Sequence, residues 1–100
     1  MTTMVSIEDI RGKVRNLKPI IREKYNVKTI GVFGSYVRGE AKEKSDLDIL
    51  VEFTEPISLL KFVELENYLS DSIGVKVDLV MKNALKPRIG KHILQEVVTI

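Results

Sequence analysis

At 100 residues with 44% hydrophobic residues, the chain can bury one core and is too short for two ordinary domains, so one domain over residues 1–100 is expected. Charged residues make up 30%, yet the formal net charge is only +2, which argues against strong general nucleic-acid binding. No cysteine is present, which excludes disulfides, thiolate nucleophiles and cysteine-ligated zinc or iron–sulfur centres, and a single histidine excludes a His-cluster metal site.

The start, Met1 to Glu8, has no charged lead followed by a long apolar stretch, and no apolar run approaches membrane-spanning length. The expectation is a soluble, cytoplasmic protein with no membrane contact. Ser6 is a good N-cap with Asp9 three residues on, and Ile7, Ile10, Val14, Leu17, Ile21 and Tyr25 recur at helical spacing. Pro19 lacks the amide donor, so that helix should kink or divide near Asn16 to Lys18. Lys28 to Phe33 is rich in β-branched and aromatic residues and ends at Gly34, which reads as a buried strand running into a turn.

A polar, charged loop is expected from Glu40 to Lys44. From Ser45 to Phe53 a strand is expected, with Asp46 and Asp48 on one face and Leu47 and Ile49 on the other. Pro56 marks a turn and Ser58 can cap a helix. Leu59, Leu60, Phe62, Val63, Leu65, Leu69 and Ile73 supply its apolar stripe before Gly74 ends it. Val75 to Met81 reads as a third strand, in which Asp78 interrupts an apolar run and so needs a reason. A last helix near Pro87 should carry Ile89, Ile93, Leu94 and Val97 inward.

The informative constellation is Gly34-Ser35-Tyr36-Val37-Arg38-Gly39 followed, after a five-residue loop, by Ser45-Asp46-Leu47-Asp48. Gly34 permits a sharp turn out of the first strand, so that amides of a following short helix and the Ser35 hydroxyl can face phosphate oxygens. Asp46 and Asp48 on one strand face can hold one or two Mg²⁺ ions, because hard cations prefer carboxylate oxygens and keep substrate phosphates as further ligands. If its strand lies beside the second, Asp78 completes a carboxylate triad and can accept the proton of an attacking hydroxyl.

These segments, with Val77-Asp78-Leu79-Val80, resemble the nucleotidyltransferase superfamily that includes DNA polymerase beta, most closely its minimal nucleotidyltransferase (MNT) branch. The resemblance implies an α/β (α+β) fold: a small mixed sheet of three or four strands, covered by helices on one face, with a carboxylate face left open. It implies that Gly34 and Ser35 bind the triphosphate of ATP, that Asp46 and Asp48 hold the metals, two Mg²⁺ ions being expected, and that Asp78 completes the catalytic and metal-holding set. Members of this branch are commonly encoded beside a HEPN-type ribonuclease toxin and neutralise it by attaching AMP to a toxin tyrosine. A HEPN-type toxin is therefore the expected partner and acceptor, with a hetero-oligomer as the expected assembly.

Plainer readings stand beside these. Asp78 can be a solvent-facing residue of an edge strand or the partner of Lys76. Arg38 can tie the turn to a nearby carboxylate or contact phosphate. Tyr36 can stack on a base or pack against the first helix. Lys82, Lys86, Arg88, Lys91 and His92 read as a solvated helix face, with His92 exposed. Two rival functions remain: a binding antitoxin that masks its partner without catalysis, and nucleotidyl transfer to a small molecule, against which the shortness of the chain argues.

Overall fold

The computed structural model describes residues 6–42 and 45–100, apart from the side chain of residue 89. Met1 to Val5, and Glu43 and Lys44 of the expected charged loop, lie outside the described residues, as does the inward placement expected of Ile89.

Helix α1 (Ile7–Tyr25) starts at Ser6, whose hydroxyl accepts the Asp9 amide at 3.2 Å, and ends at Asn26 in the left-handed region, φ 57°. Glu8 and Asp9 lie in its first turn and Arg22 and Lys24 in its last, which complements the helix dipole at both ends. Ile10, Val14, Ile21 and Tyr25 form its buried stripe. The expected division at Pro19 does not occur: the helix runs unbroken through it. Proline forfeits one backbone bond there, but it is exposed, and Val14 and Ile21 on either side are fully buried in the same core.

Strand β1 (Val27–Phe33) leads into the one-turn helix α2 (Ser35–Arg38), then strand β2 (Leu47–Phe53), helix α3 (Leu59–Ile73), strand β3 (Val77–Met81), a 3₁₀ turn (Lys82–Ala84), helix α4 (Pro87–Glu96) and strand β4 (Val98–Thr99). The strands form one sheet in the order β3-β2-β1-β4, with β2 and β3 parallel and the other two pairs antiparallel. β4 is an element the periodicity did not reveal. It is two residues long and exists because Val98 and Thr99 pair with Val32 and Gly31.

Ile30, Val32, Leu47, Ile49, Val51, Val77 and Leu79 share one sheet face and form a single core with the stripe of α1 and with Leu65, Leu69 and Ile73 of α3. Fully burying one such side chain is worth about 1.5–3 kcal/mol, so this layer dominates the stability. The other face receives Asp48 and Asp78, and α4 reaches it from the chain's last third. β3 is an edge strand, and α3 shields it: the Glu66 carboxylate accepts the Leu79 amide at 2.9 Å and the Ser70 hydroxyl accepts the Val77 amide at 2.9 Å.

The apolar stripes bury less than their periodicity predicts. Leu59 and Leu60 are 78% and 75% exposed, and Val63 and Leu94 are exposed as well. Buried Leu65, Leu69 and Ile73 define the inward face of α3, and Leu60 and Val63 lie off that face while Leu59 sits in the first turn. Val97 ends α4 rather than lying within it, and its side chain packs against Gly31, where an added Cβ would sit 2.7 Å from Val97 Cγ2.

Candidate active site

β1 is buried from Ile30 to its last residue, Phe33, and the chain then turns at Gly34 with φ 83° and ψ −152°, a conformation essentially closed to residues with a side chain. A Cβ at Gly34 would also overlap the Asp48 carboxylate. Glycine is thus required twice over, once by the backbone and once by the acid lying against it. The amides of Val37 and Arg38 return to the Gly34 carbonyl at 3.1 and 3.2 Å, and Gly39 closes the turn in the left-handed region. Tyr36 is buried in the core and donates a long 3.5 Å hydrogen bond to the Ser45 carbonyl, so it packs rather than offering a stacking face.

β2 begins at Leu47, which leaves Asp46 just ahead of the strand instead of inside it. The alternation survives: Leu47 and Ile49 are buried, Asp48 is half-buried and Asp46 is exposed. In the parallel pairing of β2 with β3, Asp48 stands directly beside Asp78, and partners in such a pair point to the same face. Across the antiparallel pair Asp48 stands opposite Phe33, the residue before the bend. Asp48 and Asp78 therefore lie together on one face, with Asp48 against Gly34, and Asp46 directly precedes the strand at that end. Asp78 is exposed on an edge strand, as the plain reading had it, but it is also the neighbour of Asp48.

Burial pushes the Asp48 carboxyl above its ordinary value, the charges of Asp78 and Asp46 push it further, and Arg38 opposes them. Burial, and then Asp46, pushes the Tyr36 phenol up in the same way. Like charges so gathered repel, and a divalent cation would relieve them. Among the described residues no group of three or more acidic or histidine side chains is placed to hold a metal ion by itself. The donors are nevertheless all carboxylate oxygens, the set that suits Mg²⁺ when a substrate phosphate supplies other ligands, and Asp48 already lies against the bare Cα of Gly34. Asp48 and Asp78 thus offer the oxygen donors that such an ion takes, with further ligands left to the substrate.

One residue at this site carries no sequence signal. Glu96, the last residue of α4, accepts the Gly34 amide through Oε2 at 3.0 Å and the Arg38 guanidinium through Oε1 at 2.7 Å. Arg38 also reaches Glu40 at 3.3 Å, so its guanidinium is tied to two carboxylates. Its bond from Arg38 holds Glu96 below the usual carboxylate range, helped by the Gly34 amide and opposed by burial. Arg38, His92, Gln95 and Glu96 line an open cavity of about 460 Å³ beside the bend. Lys82, Lys86, Arg88, Lys91 and His92 are exposed, as expected of a solvated face, and Lys82 approaches Glu52 at 3.9 Å.

Residues 14–100 match the Nucleotidyltransferase domain family. The protein adenylyltransferase MntA of Thermococcus cleftensis is 56% identical over 97% of this chain and 98% of its own length. A solved structure described as a minimal nucleotidyltransferase is 33% identical, covers 99% of this chain and all of its own, and superposes with a TM-score of 0.84. A tri-AMPylated Shewanella oneidensis HEPN toxin in complex with its MNT antitoxin shares the fold, with a TM-score of 0.67 at 19% identity over 90% of this chain and 70% of that one. A glycine bend packed on an aspartate, that aspartate paired in register with a second, and a match over most of the chain lead to one conclusion: the chain belongs to the nucleotidyltransferase domain family and is a nucleotidyltransferase of its minimal, MNT-like branch.

Proposed function

We propose that this chain is a Mg²⁺-dependent adenylyltransferase that moves AMP from ATP to a tyrosine of a HEPN-type ribonuclease toxin and thereby acts as its antitoxin. The observation that carries the reading is the Asp48 to Asp78 register on β2 and β3, with Asp48 packed on Gly34. The Thermococcus relative's activity and the AMP-modified toxin held by the Shewanella antitoxin support the choice of nucleotide and acceptor.

In this reading Gly34, Ser35 and Arg38 hold the triphosphate, while Asp46, Asp48 and Asp78 hold the metal. A bound Mg²⁺ supplies charge to offset the phosphates and lowers the pKa of the acceptor hydroxyl. Asp78, the most open of the carboxylates on the strands, accepts the hydroxyl proton. The hydroxyl oxygen forms a bond to the α-phosphorus, the bond from that phosphorus to the bridging oxygen breaks, and pyrophosphate leaves. Burial, and then the charges of Asp78 and Asp46, raise the Asp48 pKa, and a bound cation would offset that gathered negative charge.

The test incubates the chain with α-labelled ATP, Mg²⁺ and a HEPN ribonuclease from the same genome. Label should reach the ribonuclease on a tyrosine, vanish when that tyrosine becomes Phe, and vanish with the Asp46→Asn, Asp48→Asn variant. Neutralisation of the ribonuclease that persists in that variant without label would replace transfer by masking.

A further inference from the structure

The bend at Gly34 presents two hydrogen-bond donors that converge on one point, the Gly34 amide and the Arg38 guanidinium, and a single carboxylate satisfies both. That carboxylate belongs to Glu96, 62 residues along the chain from Gly34 and carried by the last turn of α4. Immediately beyond it, Val97 packs on Gly31 and Val98 pairs with Val32, so the position of Glu96 is fixed from β4 as well as from α4. A carboxylate with its two oxygens on an amide and a guanidinium has the charge and bidentate geometry of a phosphate on the same donors.

We infer that Glu96 is a positioning residue that takes the place of phosphate oxygens at this bend, holding Gly34 and Arg38 in register until a triphosphate displaces it. This rests on the triphosphate reading given above. Two consequences follow. Nucleotide binding has to break the Gly34 and Arg38 bonds of Glu96, so affinity is set below what the bare donors would give. Binding is also felt at α4 and β4, because the residue that moves is joined directly to both. Glu40 provides the contrast: it bonds Arg38 at 3.3 Å but does not touch the Gly34 amide.

The measurement is calorimetric titration of the full chain with a non-hydrolysable ATP analogue and, separately, with tripolyphosphate, both with Mg²⁺, alongside amide NMR spectra. Glu96→Ala should tighten binding of both probes by about three- to fivefold, the scale of a partly exposed ion pair. Glu96→Gln keeps an acceptor for the amide but loses the charge, and should fall between. In the wild type the Gly34, Val97 and Val98 amide resonances should shift together on adding tripolyphosphate, and in Glu96→Ala the Val97 and Val98 shifts should largely disappear. Unchanged or weaker binding by a folded Glu96→Gln, or an equal gain from Glu40→Gln, would overturn the assignment by reducing Glu96 to a structural tie or to general charge. Wild-type protein that binds neither probe would overturn the triphosphate reading and this inference with it, whereas wild-type binding without a gain in the variants would overturn this inference alone.

Discussion

Replacing Gly34 by Ala should damage both the fold and the site, and the two causes can be separated. The backbone at φ 83°, ψ −152° costs a residue with a Cβ about 1–3 kcal/mol. The new methyl would overlap the Asp48 carboxylate and approach Asp48 Cβ at 3.2 Å, so turning the carboxylate away relieves only part of the clash. Overpacking of this kind costs a further ~1–3 kcal/mol. A loss of about 3 kcal/mol in a domain of this size lowers Tm by roughly 12–24 °C. The assay is urea and thermal unfolding of wild type, Gly34→Ala, Asp48→Ala and the double variant. In the Asp48→Ala background the glycine replacement should cost the backbone part and only the small remainder from the 3.2 Å approach to Cβ, leaving a coupling of about 1–3 kcal/mol between the two positions. A cost below about 1 kcal/mol, which is the ordinary range for surface changes, or an equal cost in both backgrounds, would refute the argument that Gly34 and Asp48 share one space.

Asp48→Asn tests the electrostatics. Burial and the neighbouring acids raise the folded-state pKa above the ordinary 3.8, so the folded chain binds this proton more tightly than the unfolded one. The residue's contribution to stability is lost as pH rises from 3.8 through the folded value and stays lost at neutral pH. Metal-free Asp48→Asn should therefore gain up to about 1 kcal/mol at neutral pH, the ceiling for a half-exposed charge, with the gain fading in acid; a loss at neutral pH would contradict this. Glu66→Ala strips the Leu79 amide of its acceptor at the β3 edge and should cost about 1–3 kcal/mol in urea unfolding, while Glu66→Gln, which keeps an acceptor, should recover most of it. Tyr36→Phe should cost under about 1 kcal/mol because its hydrogen bond is long, whereas Tyr36→Ala should cost about 3–5 kcal/mol through the cavity it leaves; similar costs for both would mean that the hydroxyl carries the anchoring.

The sequence made some of these features legible and hid others, for physical reasons. Local chemistry was readable: the Ser6 and Ser58 caps, the turn glycines and the alternation around Asp48 each depend on neighbours a few residues away. The strand in which Asp78 sits was readable, but its register against Asp48 rests on a parallel pairing across α3, which no local pattern encodes. Pro19 misled because propensity was outweighed by the buried side chains flanking it. Leu59, Leu60 and Leu94 misled because periodicity shows that a face is apolar but not how much of it the sheet can cover. β4 and Glu96 left no trace, since each is defined only by its contact with β1 and the bend more than sixty residues earlier.

The central claim is that Asp46, Asp48 and Asp78 share a divalent ion with a triphosphate held at Gly34. Its most direct measurement is paramagnetic broadening of amide NMR signals by Mn²⁺ titrated in the presence of a non-hydrolysable ATP analogue. The account predicts that Gly34, Asp48 and Asp78 broaden first and together, and that Asp48→Asn abolishes the effect at the same Mn²⁺ concentration. Broadening centred elsewhere, or unaltered in Asp48→Asn, would contradict it.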